Sequence, residues 1–210
     1  IISYGGGWVG HHAPEPLRRE YARICGDVES FHDSGKYSPT LGFDECRKAI
    51  AAMEKELFGV SLSTEHIIVG HSSTQLTHDL FVALANPGDR ILLFDPTYAN
   101  YPGQIHMTLK DARIVRQPVL DTGRWEYKSE DEMAEDFKVL HEREKPKMTI
   151  IPSPDNPSSQ IFGDTFINTI ADVCQDTDTF MVFDYAYKTQ CFINPPGYFS
   201  WGPADHPSMI

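Results

Sequence analysis

Basic residues are scarce in this chain. Lys and Arg number 18 against 30 Asp and Glu, a formal net charge of -12, and no run of sequence gathers the cations into a stripe. Nucleic-acid backbones and anionic membrane surfaces are held by clustered Lys and Arg, so the composition argues against both as partners. Long apolar runs are also missing: none approaches the ~20 residues that a bilayer-spanning helix needs, and no signal-peptide pattern opens the chain. The 4 cysteines (Cys25, Cys46, Cys174 and Cys191) show no CxxC spacing, so they read as reduced thiols in a cytoplasmic protein. Of the 9 histidines, His11 and His12 are adjacent and so point in different directions. With no HExxH and no Cys/His framework, no metal site is expected. Neither a Walker A loop nor GxGxxG is present, which weakens nucleotide and dinucleotide readings.

What the chain has is an ordinary globular composition, 40% hydrophobic over 210 residues, enough for one large core. It opens on Ile1 and closes on Ile210 just after a proline-rich stretch, and the expectation is that both ends belong to something longer.

Short apolar runs alternate with helical periodicity along most of the length. Cys46, Ile50, Met53 and Leu57 recur at three- and four-residue spacing and predict a helix from about Phe43, stopped by Gly59. Strands are predicted at His66–Val69, Arg90–Phe94, Ala112–Val119, Lys147–Pro152 and in the run that ends at Asp184. Helices are predicted from Thr74 to Ala85, from about Tyr98, from a Ser129–Glu132 capping box towards Arg143, and from Asp164, as its cap, to Val173 or Cys174. Strand and helix in repeated alternation imply an α/β domain with a mostly parallel central sheet.

The run Phe180-Met181-Val182-Phe183 has no alternation and reads as a strand buried on both faces, ending in the carboxylate Asp184. Open parallel sheets bind ligands at their carboxyl edge, and a carboxylate withdrawn from water there calls for a cationic partner. Tyr187, three residues on, can present a phenol to the same ligand. The alternative is an Asp that caps the next turn and a Tyr that fills the rim.

Three further loops follow predicted strands. Gly70-His71-Ser72-Ser73-Thr74-Gln75 enters a helix, whose free N–H groups, positive dipole end and hydroxyls suit a phosphate; plain N-capping by Ser72 or Ser73 is the other reading. In Asp95-Pro96-Thr97-Tyr98-Ala99-Asn100-Tyr101, one of the two tyrosines can lie flat on an aromatic ligand, or both can serve as rim packing. The stretch from Ile151 to Ser159 is stiffened by prolines that would hold Asn156 in a fixed place, with or without a ligand. Upstream, Tyr4-Gly5-Gly6-Gly7-Trp8 lets the backbone approach a ligand closely, or forms a simple loop.

Taken in order, these motifs resemble the class I/II aminotransferases among the fold-type I pyridoxal-phosphate enzymes. The resemblance runs from the Gly-rich opening through Tyr37-Ser38-Pro39-Thr40-Leu41-Gly42, Asn86-Pro87-Gly88-Asp89 and Pro96-Thr97-Tyr98 to Asp184-Tyr185-Ala186-Tyr187. It implies a three-layer sandwich, incomplete at both ends, with residues 1–60 as the N-terminal entry and 61–210 as the cofactor-binding large domain. It assigns Ser72, Ser73 and Thr74 to the phosphate of pyridoxal 5'-phosphate, Tyr98 to stacking on the ring, and Asn156 and Tyr187 to the ring oxygen. Asp184 would pair with the pyridinium nitrogen, Gly7 would lie near the substrate carboxylate, and Tyr37 would reach the phosphate of the neighbouring subunit of a homodimer. An amino acid and a 2-oxo acid are the implied substrates.

The chain departs from the family pattern in places. The usual Asn-Pro-Thr-Gly appears as Asn156-Pro157-Ser158-Ser159, and the acidic residue that usually follows the aspartate is Tyr185. Nothing between Asp184 and Ile210 matches the loop of the Schiff-base lysine, Lys188 being only four residues from Asp184, so that lysine and the anion-binding arginines are expected beyond Ile210. Two readings compete with transamination: another pyridoxal-phosphate reaction on the same fold (a lyase, decarboxylase or oxidase), and an aminotransferase-like domain that senses the cofactor in a transcriptional regulator.

Overall fold

The computed structural model describes residues 10–210, which divide into two compact units after Thr40. In the first unit, α1 (Glu15–Gly26) and α2 (Val28–Ser34) bury no residue. Arg18 and Arg19 pair with Glu15 along α1, and the Asp27 carboxylate caps α2 by accepting the Ser30 N–H at 2.8 Å. Gly7 lies outside the described residues.

The second unit begins with α3 (Asp44–Phe58), which ends as expected at Gly59, in the left-handed region at φ 76° where a Cβ is unfavourable. The strand expected at His66–Val69 does not form. Thr64–His66 is a single 3-10 turn, and the extended residues after it join no ladder. Only Ile67 of that segment is buried, while Ile68 and Val69 face outward, so its apolar content reflects no two-sided core.

There follow α4 (Ser73–Leu84), β1 (Arg90–Asp95), α5 (Tyr101–Thr108), β2 (Arg113–Pro118), a hairpin of β3 (Leu120–Asp121) and β4 (Glu126–Tyr127), α6 (Glu130–Glu144), β5 (Met148–Pro152), α7 (Asp164–Asp176) and β6 (Phe180–Asp184). Helix α5 starts three residues later than the expected Tyr98. Pro102 sets this limit: it fits the first turn of a helix begun at Tyr101, but four residues into one begun at Tyr98 its ring would meet the Tyr98 carbonyl. The capping box of α6 is present as expected, with Ser129 and Glu132 satisfying each other's N–H groups. Asp164 does not cap α7. Gly163 holds the cap position, the Glu130 carboxylate accepts the Phe166 N–H at 3.2 Å, and Asp164 instead accepts from Gly197 N and Tyr198 N.

Strands β2-β1-β5-β6 form one parallel sheet in that order. Alternate residues of β1 feed two cores: Leu92 and Phe94 pack with Phe137 of α6 and Phe166 of α7 on one face, Ile91 and Leu93 with Phe81 of α4 and Ile105 of α5 on the other. Helices on both faces of the sheet make three layers. Strand β6 is buried through Met181 and Val182, but Phe180 and Phe183 are only half-buried, a correction to the fully buried strand expected. Its outer edge is covered by Ser208–Ile210, which runs parallel to it through Met181 N to Ser208 O (2.8 Å) and Phe183 N to Ile210 O (3.0 Å).

Candidate active site

Crossovers from β1 lead outward through α5 to β2, whereas the chain returns through α6 to β5 on the other side of β1. The strand order therefore reverses between β1 and β5, the place where doubly wound sheets open a crevice at their carboxyl edge. The ladders show the opening directly. Pairing of β1 with β5 ends at Leu93 and Ile150, while β5 and β6 stay paired out to Pro152 and Asp184.

Asp184 ends β6 at this edge, half-buried. Its Oδ2 accepts the Tyr101 hydroxyl at 2.5 Å and its Oδ1 accepts the Ala186 N–H at 3.0 Å. Burial, with the Asp184 charge next in weight, pushes the Tyr101 phenol far above its ordinary pKa, so Tyr101 is a permanent donor. Asp184, Tyr101 and Ser73 line one open cleft of about 420 Å³, whose walls include Leu76, Leu80 and Val182. A carboxylate and a helix N-terminus thus share one cleft.

At that helix N-terminus, Ser72 is the cap: its hydroxyl accepts the Gln75 N–H at 3.4 Å. The N–H groups of Ser73 and Thr74 meet no acceptor among the described residues, and the Thr74 hydroxyl accepts from Gln104 at 3.5 Å, which leaves its own proton to donate. Gly70 lies close beneath, where a Cβ would fall 2.8 Å from Leu76 Cδ2.

Tyr98 is half-buried, held edge-on by Tyr101 at 5.3 Å between ring centroids and by Asn100 Nδ2 on its hydroxyl at 2.8 Å. Asn156 and Tyr187 do not line the cleft of Asp184. They share an adjoining one of about 450 Å³ with Asp155, Ile161, Gln190 and Phe192. The segment from Asp184 to Tyr187 contributes to both clefts. Tyr37 belongs to the first unit and is fully exposed.

The two departures from the family pattern have local explanations. Ser158 donates its hydroxyl to Asp155 Oδ2 at 2.5 Å, and Ser159, where the pattern has glycine, takes a left-handed φ of 59°. Tyr185 stacks on Phe183 at 5.0 Å and faces the Lys188 ammonium at 4.6 Å. Lys188 is buried; its Nζ donates to Glu54 at 3.0 Å and sits 4.0 Å from the Phe58 ring centre, so this lysine is engaged by structural partners.

Two polar pairings at the crevice carry no signal in the local sequence. Thr97 Oγ1 donates to Asp155 Oδ1 at 3.0 Å across 58 positions of sequence, and Tyr101 reaches Asp184 across 83. A proline-flanked Asp and a tyrosine in a helix's first turn reveal such partners only once the strands are ordered.

The family model for aminotransferases of class I and II matches residues 10–201. Aspartate aminotransferase of Pyrococcus horikoshii is 25% identical over 190 residues, 90% of this chain and 45% of the relative. A probable aspartate/prephenate aminotransferase of Rhizobium leguminosarum bv. phaseoli is 30% identical over 173 residues, 82% of this chain and 40% of the relative. The crystal structure of an aminotransferase from Mycobacterium tuberculosis superposes with a TM-score of 0.75 at 23% identity, covering 91% of this chain and 48% of that one. The chain thus spans somewhat under half the length of these relatives, and over its matched length it belongs to the aminotransferase class I and II family.

Proposed function

We propose that the protein is a pyridoxal-phosphate-dependent aminotransferase that moves an amino group between an amino acid and a 2-oxo acid, working in the cytoplasm as a homodimer. The observation that carries this reading is the single cleft with Asp184 at one place and the N-terminus of α4 at another, which suits a ligand with a protonated ring nitrogen and a phosphate. The residues present fit the cofactor. Ser73 and Thr74 offer main-chain N–H groups and hydroxyls to the phosphate, while Ser72 acts mainly by fixing the helix end. Each Asp184 oxygen accepts one protein hydrogen bond and keeps a lone pair for the pyridinium nitrogen. When bound, pyridoxal phosphate supplies an electron sink beside the substrate's Cα.

In this reading Tyr98 covers one face of the ring, and Asn156 and Tyr187 donate to its oxygen from the adjoining cleft. Asp184 holds the proton on the ring nitrogen. Tyr37, being fully exposed, is available to a neighbouring subunit's phosphate, and Gly7 serves near the substrate carboxylate. The test is to incubate the full-length protein with amino acids, with and without 2-oxoglutarate. Amino transfer that requires the 2-oxo acid is expected; ammonia, carbon dioxide or peroxide released without an acceptor would replace transamination by a lyase, decarboxylase or oxidase.

A further inference from the structure

We infer that Asp155 and Thr97 form a clasp that positions the cofactor site, fixing the loop that carries Tyr98 to the loop that carries Asn156; the inference rests on the pyridoxal-phosphate reading. The clasp stands where the sheet opens between β1 and β5. Ladder bonds between β1 and β5 stop at Leu93 and Ile150, so beyond that point the two loops lose the main-chain pairing that aligns the neighbouring strands. Thr97 follows β1 by two residues and Asp155 follows β5 by three, and their side chains meet across the opening at 3.0 Å.

Asp155 is 5% exposed and pairs with no cation among the described residues. Its oxygens are met by hydrogen-bond donors alone: Thr97 Oγ1 on Oδ1, and Ser158 Oγ at 2.5 Å and Ser158 N at 3.4 Å on Oδ2. The main chain closes the same turn, with Asp155 N donating to Gln160 O at 2.9 Å and Ser159 N to Asp155 O at 2.8 Å. A buried carboxylate is costly to keep and adds nothing to an apolar core. What it provides here is an acceptor with lone pairs in several directions, so one group can hold its own turn through Ser158 and a second loop through Thr97. Ser158, which stands where the family pattern has threonine, is thereby part of the clasp. Tyr98 and Asn156 each follow a clasp residue directly, so a slack clasp would loosen both groups that address the ring.

The deciding variants are Thr97→Val, which keeps the shape and removes the hydroxyl, and Thr97→Ser, which keeps the hydroxyl. Both are made in the full-length protein and compared by thermal unfolding, pyridoxal-phosphate titration and circular dichroism of the bound cofactor. Losing one hydrogen bond to a charged group, Thr97→Val should bind the cofactor roughly 5- to 20-fold more weakly. Its cofactor dichroism should fall and kcat should drop more than KM rises, and Thr97→Ser should restore all three. Wild-type affinity and dichroism in a folded Thr97→Val, or no rescue by Thr97→Ser, would overturn the clasp. Should Thr97→Val fail to fold, Asp155→Ala, which leaves the Thr97 hydroxyl without its acceptor, is read by the same dichroism, and an unchanged signal there also overturns it. A wild-type protein that binds no pyridoxal phosphate defeats the underlying functional reading, and the positioning role with it.

Discussion

Tyr101 and Asp184 are joined by a 2.5 Å hydrogen bond that ties the first turn of α5 to the last residue of β6. The tyrosine is 2% exposed and sits in the core shared by α4, α5 and one face of the sheet, so the carboxylate is oriented from within that core. Asp184 thereby keeps a fixed direction in a cleft whose walls come largely from α4, α5, β5 and β6.

Asp184→Asn is expected to fold and to lose most aminotransferase activity. An amide still accepts from Tyr101, so the packing survives, but it cannot stabilise a pyridinium charge. Turnover is to be compared in wild-type and variant protein with cofactor content matched by absorbance. Wild-type turnover in the loaded variant would remove Asp184 from its proposed role.

The hydroxyls at the start of α4 should separate into two kinds. Ser72→Ala removes the helix cap and should cost about 1 kcal/mol in unfolding free energy. Ser73→Ala with Thr74→Ala should leave unfolding nearly unchanged and weaken cofactor binding by about 1 to 3 kcal/mol, because the main-chain donors remain. Denaturant titration read beside the cofactor Kd distinguishes them, and an unchanged Kd in the double variant would leave capping as the sole role of this loop.

Lys188 should not be modified by the cofactor. Its Nζ donates to Glu54 at 3.0 Å and is enclosed by the rings of Phe58 and Tyr185, and it lines neither cleft. Borohydride reduction with pyridoxal phosphate followed by peptide mass mapping should find no stoichiometric adduct at this position. A stoichiometric adduct at Lys188 would contradict the structural role given to it.

Acid should weaken the fold through His141. The ring is 1% exposed between α6 and the turn before β6, and burial lowers its pKa below the ordinary histidine value. Thr177 and Thr179 donate to Val173 O and Pro146 O, which leaves Nε2 to donate to Thr179 at 3.0 Å, and burial disfavours a second proton on the ring. Because the folded pKa lies below the unfolded one, the contribution is complete above about pH 6.5 and is lost as pH falls from there through the folded value. Denaturant unfolding followed from pH 7.5 to 5 should show this loss, and His141→Gln should flatten it.

The departures from the sequence-based expectations have distinct physical causes. Period and punctuation located α3, α4, β1, β2, α6, β5, α7 and β6 because each pairs a local pattern with a local start or stop, as Gly59 ends α3 and Ser129 begins α6. Ile67-Ile68-Val69 has the composition of a strand, but strand formation needs a partner, which no local pattern encodes. Asp164 has a cap's chemistry, yet Glu130, brought alongside by the packing of α6 on α7, takes that duty and leaves Asp164 to the turn at Gly197.

The sequence by itself determined the α/β class, the order of the elements and the kinds of group that end them, because these rest on periodicities and on loop chemistry within a few residues. Only the tertiary structure decided the strand order β2-β1-β5-β6, and with it the crevice at the reversal between β1 and β5. It also decided that Asp184 meets Tyr101, that Asp155 meets Thr97 and that Lys188 is held by Glu54, contacts spanning 83, 58 and 134 positions. Hydrogen bonds between residues so far apart leave no trace in local composition; they exist because burying both faces of the sheet fixes which strand ends lie side by side.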